Sequence, residues 1–514
     1  MILVINLGLK SIRAIVFSMD GKKISSASKP VHTRLAGDFV EQSALEWKEK
    51  LFEVGQEAVD KAEAASVVRY VTVSCSASCL LPIDENMEPL AHAIMVSDRR
   101  AMNQAEEIAI LSEFNELALK YSYSVSGYSQ FARILWFKQN SPELFQKTKM
   151  FVAPNDYLLG ILTGGTIVTD ILNAEKLYYD SENNCYPEAI CDRLGISTSL
   201  LPECVDIGTS IGRMEKKVAT KLGLANAPEV IVGTYDAICS VFGTGVCDPG
   251  MVCDVSGTVT SIRMYTNTPA KNFDGKIFSQ YFPPSQGYLI GGSNNLGGGL
   301  IEWAKQVFYS EVANPYELMQ TECQSLAKGG GVQHSGLIFI PHLLGSRAPE
   351  WNLDARGAFF GLERHHTRKD LMRAIFESIG FSVRDFLEVF REGATLPAMV
   401  TASGGLARMS IANELKATIT GLPYHLMDEF ESTSLGAAII VLCSTGYFSS
   451  YSEACDEMTL TTQIFIPRRQ DRAYYDDMYG LYRKVNQALG PLFEERKSIV
   501  ANHGDNIVKY IKNL

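Results

Sequence analysis

Two short β-branched runs, Ile2–Asn6 and Ala14–Ser18, flank the turn Leu7–Arg13, and the same device returns at Met251–Val255 and Ser261–Tyr265. A hairpin opening each half means that each half must build its own sheet and its own core. In the first half, Asp20-Gly21 marks a further hairpin turn and Val67–Ser74 reads as a strand. Leu45–Ala65 places Leu45, Leu51, Val54, Ala58 and Ala62 at helical spacing, and Ala101–Tyr121 and Phe131–Lys138 also read as helices. In the second half, Tyr288–Gly291 and Met399–Ala402 read as strands, and Gly297–Phe308 and Ile411–Thr420 as helices. Thr367–Phe390 is a long helix with Leu371, Ile375, Ile379, Val383, Phe386 and Phe390 on one face, opened by Thr367-Arg-Lys-Asp370 as a capping box. Hairpins followed by strand–helix alternation predict an α/β fold in two domains. The boundary is expected at the turn-rich Cys247-Asp-Pro-Gly250. No long linker or low-complexity stretch separates the halves, so they are expected to pack over a cleft.

The formal charge of -11 argues against a nucleic-acid or anionic-membrane partner. The start of the chain lacks a basic flank and a signal-type apolar stretch, and no run approaches the length of a membrane span, so a cytoplasmic protein is expected. The 11 cysteines are scattered and odd in number, which suits reduced thiols. Cys75 and Cys79 form a close pair, but no second pair with ligand spacing follows, and a buried or pocket-wall role fits better than zinc.

The chemistry concentrates in glycine-flanked turns. Gly233-Thr-Tyr-Asp236 sets one carboxylate just before a small apolar run, and Asp254-Val-Ser-Gly257-Thr258-Val-Thr260 is a strand ending in a tight turn that bears a hydroxyl. A lone acid and a Gly-Thr turn suit a site where a base takes a proton from an alcohol while the turn holds a phosphate. Asn6-Leu-Gly8-Leu-Lys10-Ser11-Ile-Arg13 is the matching turn of the first half, and the two together can hold a phosphate tail. Either turn alone is more simply a plain hairpin. Ser403-Gly404-Gly405-Leu-Ala-Arg408 lies between a strand and a helix, where a flat ring can approach the backbone. Gly297-Gly298 offers another such approach, and Glu302 follows Gly298 by one helical turn.

These residues, with Pro341–Leu362, Ser403–Arg408 and Ser434-Leu-Gly436, resemble the signature region of the FGGY carbohydrate kinases, within the actin-like and hexokinase-like ATPase superfamily. The resemblance runs from Ile2 to about Phe493. It implies two actin-like (ribonuclease H-like) domains, each a mixed sheet flanked by helices, with the active site in the cleft between them. Residues 1–246 would bind the sugar and carry the base, 247–490 would bind the nucleotide, and 491–514 would form a helical tail. Asp236 matches the family's general base and Thr258, after Gly257, the residue that meets the transferred phosphate. Gly298, Glu302, Gly404, Gly405 and Arg408 fall where the family holds the adenosine. Gly8, Lys10, Ser11 and Arg13 belong to the first phosphate turn. Asp98-Arg-Arg100 matches the segment bordering the sugar pocket, and Ser76 and Ser78 a neighbouring sugar-contacting turn. Tyr128 lies where some members set an aromatic against the substrate, although a packing role fits it equally, and Asp98 can instead cap the following helix. ATP and Mg2+ are the implied cofactors, and a small sugar or polyol the partner. Related kinases are often dimers, so a homodimer is one expectation.

The chain departs from the family at the first turn, where Asp-x-Gly-Thr is usual and Asn6-Leu-Gly8-Leu9 stands. Asn6 keeps an oxygen for Mg2+ but loses a charge. Asp254, on the opposing strand, is expected to supply that charge, and Lys10 to act as a point-charge partner for phosphate. Ser74–Cys79 differs from the Gly-Gln-Met-His-Gly of xylulose kinases, whereas Trp351-Asn352 looks gluconate-kinase-like, so the substrate is left as a sugar, polyol or sugar acid. An enzyme phosphorylating such a hydroxyl is the main expectation. A catalytically impaired relative acting as a sugar- or nucleotide-binding sensor is the alternative.

Overall fold

A computed structural model of the chain describes residues 1–121, 125–127, 129–257, 259–268, 276–282, 286–325, 334–393, 395–428 and 431–503. The chain divides into two units. The first comprises Met1–Cys247, Ser279–Gly287 and Glu431–Leu460, and the second Asp248–Phe278, Tyr288–Phe430 and Thr461–Leu514.

In the first unit, β1 (Ile2–Leu7), β2 (Ser11–Phe17), β3 (Lys23–Pro30), β4 (Tyr70–Cys75), β5 (Ser210–Arg213) and β6 (Glu229–Ile231) lie in the order β5-β6-β4-β1-β2-β3. β1 runs antiparallel to β2 and parallel to β4, and its Ile2, Leu3, Val4 and Ile5 are wholly buried, as a central strand covered on both faces requires. Helix α1 (Ala44–Lys61) begins where Ser43 accepts the Glu46 N–H. Its Trp47, Leu51, Val54 and Ala58 recur every three or four residues and bury the helix on this sheet, each large side chain contributing about 1.5–3 kcal/mol. A second cluster gathers around α2 (Gln130–Asn140), whose Phe131, Ile134 and Phe137 join Leu80, Ile94 and Phe151. The stretch expected as one helix over Ala101–Tyr121 is two, Met102–Ala109 and Ser112–Tyr121, separated at the exposed Ile110. Helix α3 (Asp236–Gly243) follows β6.

In the second unit, β7 (Met251–Ser256), β8 (Thr260–Thr266), β9 (Gly287–Asn294), β10 (Met399–Ser403), β11 (Tyr424–Met427) and β12 (Thr461–Phe465) run in the order β12-β11-β10-β7-β8-β9. Each pairs with its neighbour in the same sense as its counterpart in the first unit. The repetition expected from two hairpins therefore extends to six strands. Among the helices are α4 (Gly298–Phe308), α5 (Arg368–Gly393) and α6 (Ser410–Thr420). The buried face of α5 is the expected one, except that Met372 rather than the half-buried Leu371 begins it. Before α5, the Thr367 N–H and hydroxyl both donate to the Asp370 carboxylate, at 2.8 and 2.7 Å.

Helix α7 (Ser432–Ser444) returns to the first unit, so the linear division at residue 247 differs from the spatial one. α7 lies along α3 with glycine facing backbone. A Cβ at Gly243 would stand 2.6 Å from the Ser432 carbonyl carbon, and one at Gly436 would stand 2.6 Å from that of Cys239. Two helices approach this closely only where side chains are missing, and hydrophobic periodicity does not reveal such a contact. Helix α8 (Arg472–Asn502) continues through Pro491, so the expected tail at 491 begins inside a helix. No helix among the described residues is long and apolar enough to cross a membrane.

Candidate active site

The β1–β2 turn is closed by the Gly8 N–H donating to the Ser11 carbonyl at 2.9 Å. The Leu9 carbonyl accepts from Gln42 Nε2 at 2.9 Å, and Gln42 is itself held by Trp47 Nε1 at 2.9 Å, so the first turn of α1 fixes this loop. Asn6 stands in register with Arg13 on one side and Ser74 on the other. Ser11 is half-buried and Lys10 exposed. Arg13, expected beside the phosphate, donates from Nη1 to both Glu431 oxygens at 2.7 and 2.5 Å and keeps a partly exposed side chain.

Beside this turn, the Ser76 N–H donates to the Leu7 carbonyl at 3.1 Å, which brings the end of β4 to the same place. Asp236 is the first residue of α3. Its Oδ1 accepts the Ala237 N–H at 2.7 Å and its Oδ2 lies 3.4 Å from Ser76 Oγ. That carboxylate lies at the positive end of the helix dipole. Two buried chains of contacts hold the preceding residues. Thr234 donates to Asp170 at 2.8 Å, and burial pushes the Asp170 carboxyl up to about 6. The Tyr235 hydroxyl donates to Gln280, whose Nε2 donates to Glu175 at 3.1 Å, and burial pushes Glu175 up to about 7. Cys75, Cys79 and Cys239 are buried nearby, and burial holds Cys79 and Cys239 at about 12, as neutral thiols.

Asp98 and Arg100 face inward. Asp98 is wholly buried and accepts from the Val40 N–H at 2.6 Å, the Arg100 N–H at 3.0 Å, and Arg100 Nε and Nη2 at 2.9 and 2.7 Å. Arg100 also pairs with Glu41 at 2.7 Å and lies over the rings of Phe39 and Trp136. The charges of the pair are therefore satisfied inside the protein, and the helix Met102–Ala109 has no side-chain cap. Arg133 was missed by the sequence reading. It is wholly buried in α2 and donates to the carbonyls of Ser78, Met95, Val96 and Asp98, joining the two loops expected to border the sugar. Ser78 takes φ +57°, a left-handed turn position. Tyr128 and Thr258 lie outside the described residues.

In the second unit, three glycine segments converge where β7 and β10 end side by side, with Val255 in register with Ser403. The Gly298 N–H donates to the Gly257 carbonyl at 2.6 Å, and a Cβ at Gly297 would stand 2.7 Å from that oxygen. Gly404 has φ +86°, and a Cβ there would stand 2.7 Å from the Ser256 carbonyl oxygen, so both dihedral and space demand glycine. Gly405 has open space before it and Arg408 is exposed. Bare backbone beside the N-terminus of α4 makes a cradle suited to phosphate or a flat ring. Glu302, one turn along α4, contacts Lys305 and Tyr316. Asp254 departs from the expectation of a metal ligand. It is wholly buried, with Oδ1 accepting from Ser256 at 2.6 Å and Oδ2 from Lys416 Nζ at 2.7 Å. Among the described residues no three His, Cys, Asp or Glu side chains form a metal cage. Mg2+ carried on nucleotide phosphates requires none, and the Asn6 oxygen is compatible with it.

Residues 1–243 match the N-terminal domain of the FGGY family of carbohydrate kinases, and residues 255–444 the family's C-terminal domain. A xylulose kinase of Bacillus subtilis is 26% identical over 94% of this chain and 95% of its own. Among solved structures, a ligand-bound xylulose kinase from Lactobacillus acidophilus superposes with a TM-score of 0.87 at 22% identity, covering 96% of this chain and 100% of the other. A gluconate kinase from Lactobacillus acidophilus gives 0.87 at 22% identity, covering 96% and 99%. At that identity the two structures speak for the fold alone.

Proposed function

The chain belongs to the FGGY family of carbohydrate kinases, and on that premise we propose that it transfers the γ-phosphate of ATP to a hydroxyl of a small open-chain sugar, polyol or sugar acid. The observation that carries this reading is Asp236, held at the start of α3 with one oxygen on its own helix and the other near Ser76. Such a carboxylate orients an acceptor hydroxyl and takes its proton as the new P–O bond forms. Arg133 sets the Ser78 and Asp98 loops that would border the acceptor. In the second unit the backbone at Gly257, Gly298 and Gly404 would receive the nucleotide, with Gly405 and Arg408 on the adenosine side. Mg2+, if carried with the nucleotide, would supply charge neutralisation at the phosphates, with the Asn6 oxygen on the protein side. Positioning and charge supply most of the catalysis in this chemistry.

The test is ADP release with Mg2+ across pentuloses, hexuloses, polyols and aldonates, with xylulose and gluconate included because the relatives carry those names. Asp236→Asn is expected to lose about 10³-fold in kcat while ATP affinity stays. Undiminished turnover in that variant would sink the assignment. A second reading, a sugar- or nucleotide-binding sensor, draws on Asn6 as an amide and on the engagement of Arg13 and Asp254 with other side chains. Sugar-dependent thermal stabilisation with no turnover of any acceptor would favour it.

A further inference from the structure

Lys416 lies on α6, 2% exposed, and its ammonium meets the wholly buried Asp254 carboxylate of β7 at 2.7 Å. The pair is not closed on itself. Lys416 Nζ also donates to Ser256 Oγ at 3.0 Å, and Ser256 donates to Asp254 at 2.6 Å. Ser256 lies 3.1 Å from Thr260 Oγ1, and Thr260 donates to the Leu296 carbonyl at 3.3 Å. A polar line therefore runs from α6 through the end of β7 to the residue before Gly297. The Gly404–Arg408 segment leads directly into α6, and Gly404 rests against the Ser256 carbonyl. One ion pair thus joins the helix behind one glycine segment to the strand that carries another.

Burying two charges costs desolvation that their attraction barely recovers, and apolar residues of similar volume stabilise a core as well or better. What such a pair does supply is a single register, because Lys416 meets its carboxylate and the Ser256 hydroxyl at only one setting of α6 along β7. We infer that Asp254, Ser256 and Lys416 are positioning residues for nucleotide binding, fixing the spacing between the Gly257 turn and the Gly404–Arg408 segment. This rests on the second unit being the nucleotide half of a kinase. Asp254 then acts through the backbone, in place of the metal-ligand role suggested by its sequence position.

The test measures ATP affinity by calorimetry without acceptor, the KM values for ATP and sugar, and the melting temperature. Ser256→Ala cuts the link between the ion pair and the turn. It is expected to weaken ATP binding about 5–10-fold and raise the KM for ATP in parallel, with the sugar KM within twofold of the parent and melting shifted by only a few degrees. The double variant Asp254→Leu/Lys416→Met removes both charges together and is expected to keep the melting temperature while weakening ATP binding at least 10-fold. Unchanged ATP affinity in Ser256→Ala overturns the inference whatever the double variant does, including its failure to fold. A parent chain that binds ATP but phosphorylates no sugar refutes the kinase assignment and still leaves the spacing role to be judged on affinity. A parent that binds no ATP refutes both.

Discussion

Gly436→Ala tests whether the contact between α3 and α7 sets the Asp236 carboxylate, the proposed base. A Cβ at Gly436 would stand 2.6 Å from the Cys239 carbonyl carbon and 2.8 Å from Gly243 N. The Cys239 carbonyl oxygen would lie closer still, and carbon contacts settle at about 3.5–4.0 Å, so the helices must part by at least about 1 Å. Both obstacles are backbone, and no rotamer relieves them. Overpacking costs about 1–3 kcal/mol, and rigid backbone on the facing side places this site near 3 kcal/mol. At roughly 2–4 °C per kcal/mol for a domain of a couple of hundred residues, the melting temperature should fall by about 6–12 °C. The functional effect is separate. Asp236 begins the helix that would be displaced, and misplacing a reacting group by 1 Å can cost about 10²-fold. Scanning calorimetry and steady-state turnover should therefore show a less stable protein with kcat down about 100-fold and ATP affinity intact. Gly480→Ala is the control, because that glycine is exposed in α8 with nothing within 4 Å, and alanine there should stabilise by up to about 1 kcal/mol. A Gly436→Ala protein that melts and turns over like the parent would refute the reasoning.

Arg133→Met would leave the carbonyls of Ser78, Met95, Val96 and Asp98 without their donor, and a rise of 10-fold or more in sugar KM with little change in ATP KM is expected by steady-state kinetics. Burial raises Glu175 to about 7, so the folded chain keeps a proton that the unfolded chain loses near 4.5. Stability consequently falls as pH rises between those values, and the penalty, about 3 kcal/mol in order of magnitude, is complete above pH 7. Glu175→Gln still offers Gln280 an acceptor, so it should melt several degrees above the parent at pH 8 and alongside it at pH 4; an equal offset at both values would show that burial of the charge is not the cause. Asn6→Asp adds a charge where the nucleotide's metal is proposed to lie, and titration of activity with Mg2+ should show half-saturation at a several-fold lower concentration.

Much of this architecture was legible because it depends on local pattern. The paired β-branched runs announced the duplicated sheets, and the apolar face of α5 was readable to within one residue. The glycine segments at Gly257, between two strands, and at Gly298 and Gly404, each followed by a helix, stood out because glycine there marks a tight turn or a close backbone approach, and Asp236 because a lone acid is flanked by Gly233 and Gly243. What the sequence hid is long-range. Arg133 reads as an ordinary polar position on an amphipathic helix, and nothing near it names the four carbonyls it meets. Asp254 gave no sign of Lys416, its partner 162 residues away, nor Arg13 of Glu431, which is more distant still. Asp98-x-Arg100 likewise gave no sign that its two charges would satisfy each other.

The return of α7 bears on how the protein can be made and divided. On a ribosome, the helix that starts with Asp236 emerges long before the segment around Gly436, so the first unit waits for about the last sixth of the chain before its third stretch is present. A fragment ending at Cys247 would expose the face of Gly243 to water and to other nascent chains. Separate expression of the two units would therefore need a permuted gene that rejoins Glu431–Leu460 to the first, and cutting once at the evident linear boundary should yield an aggregating product.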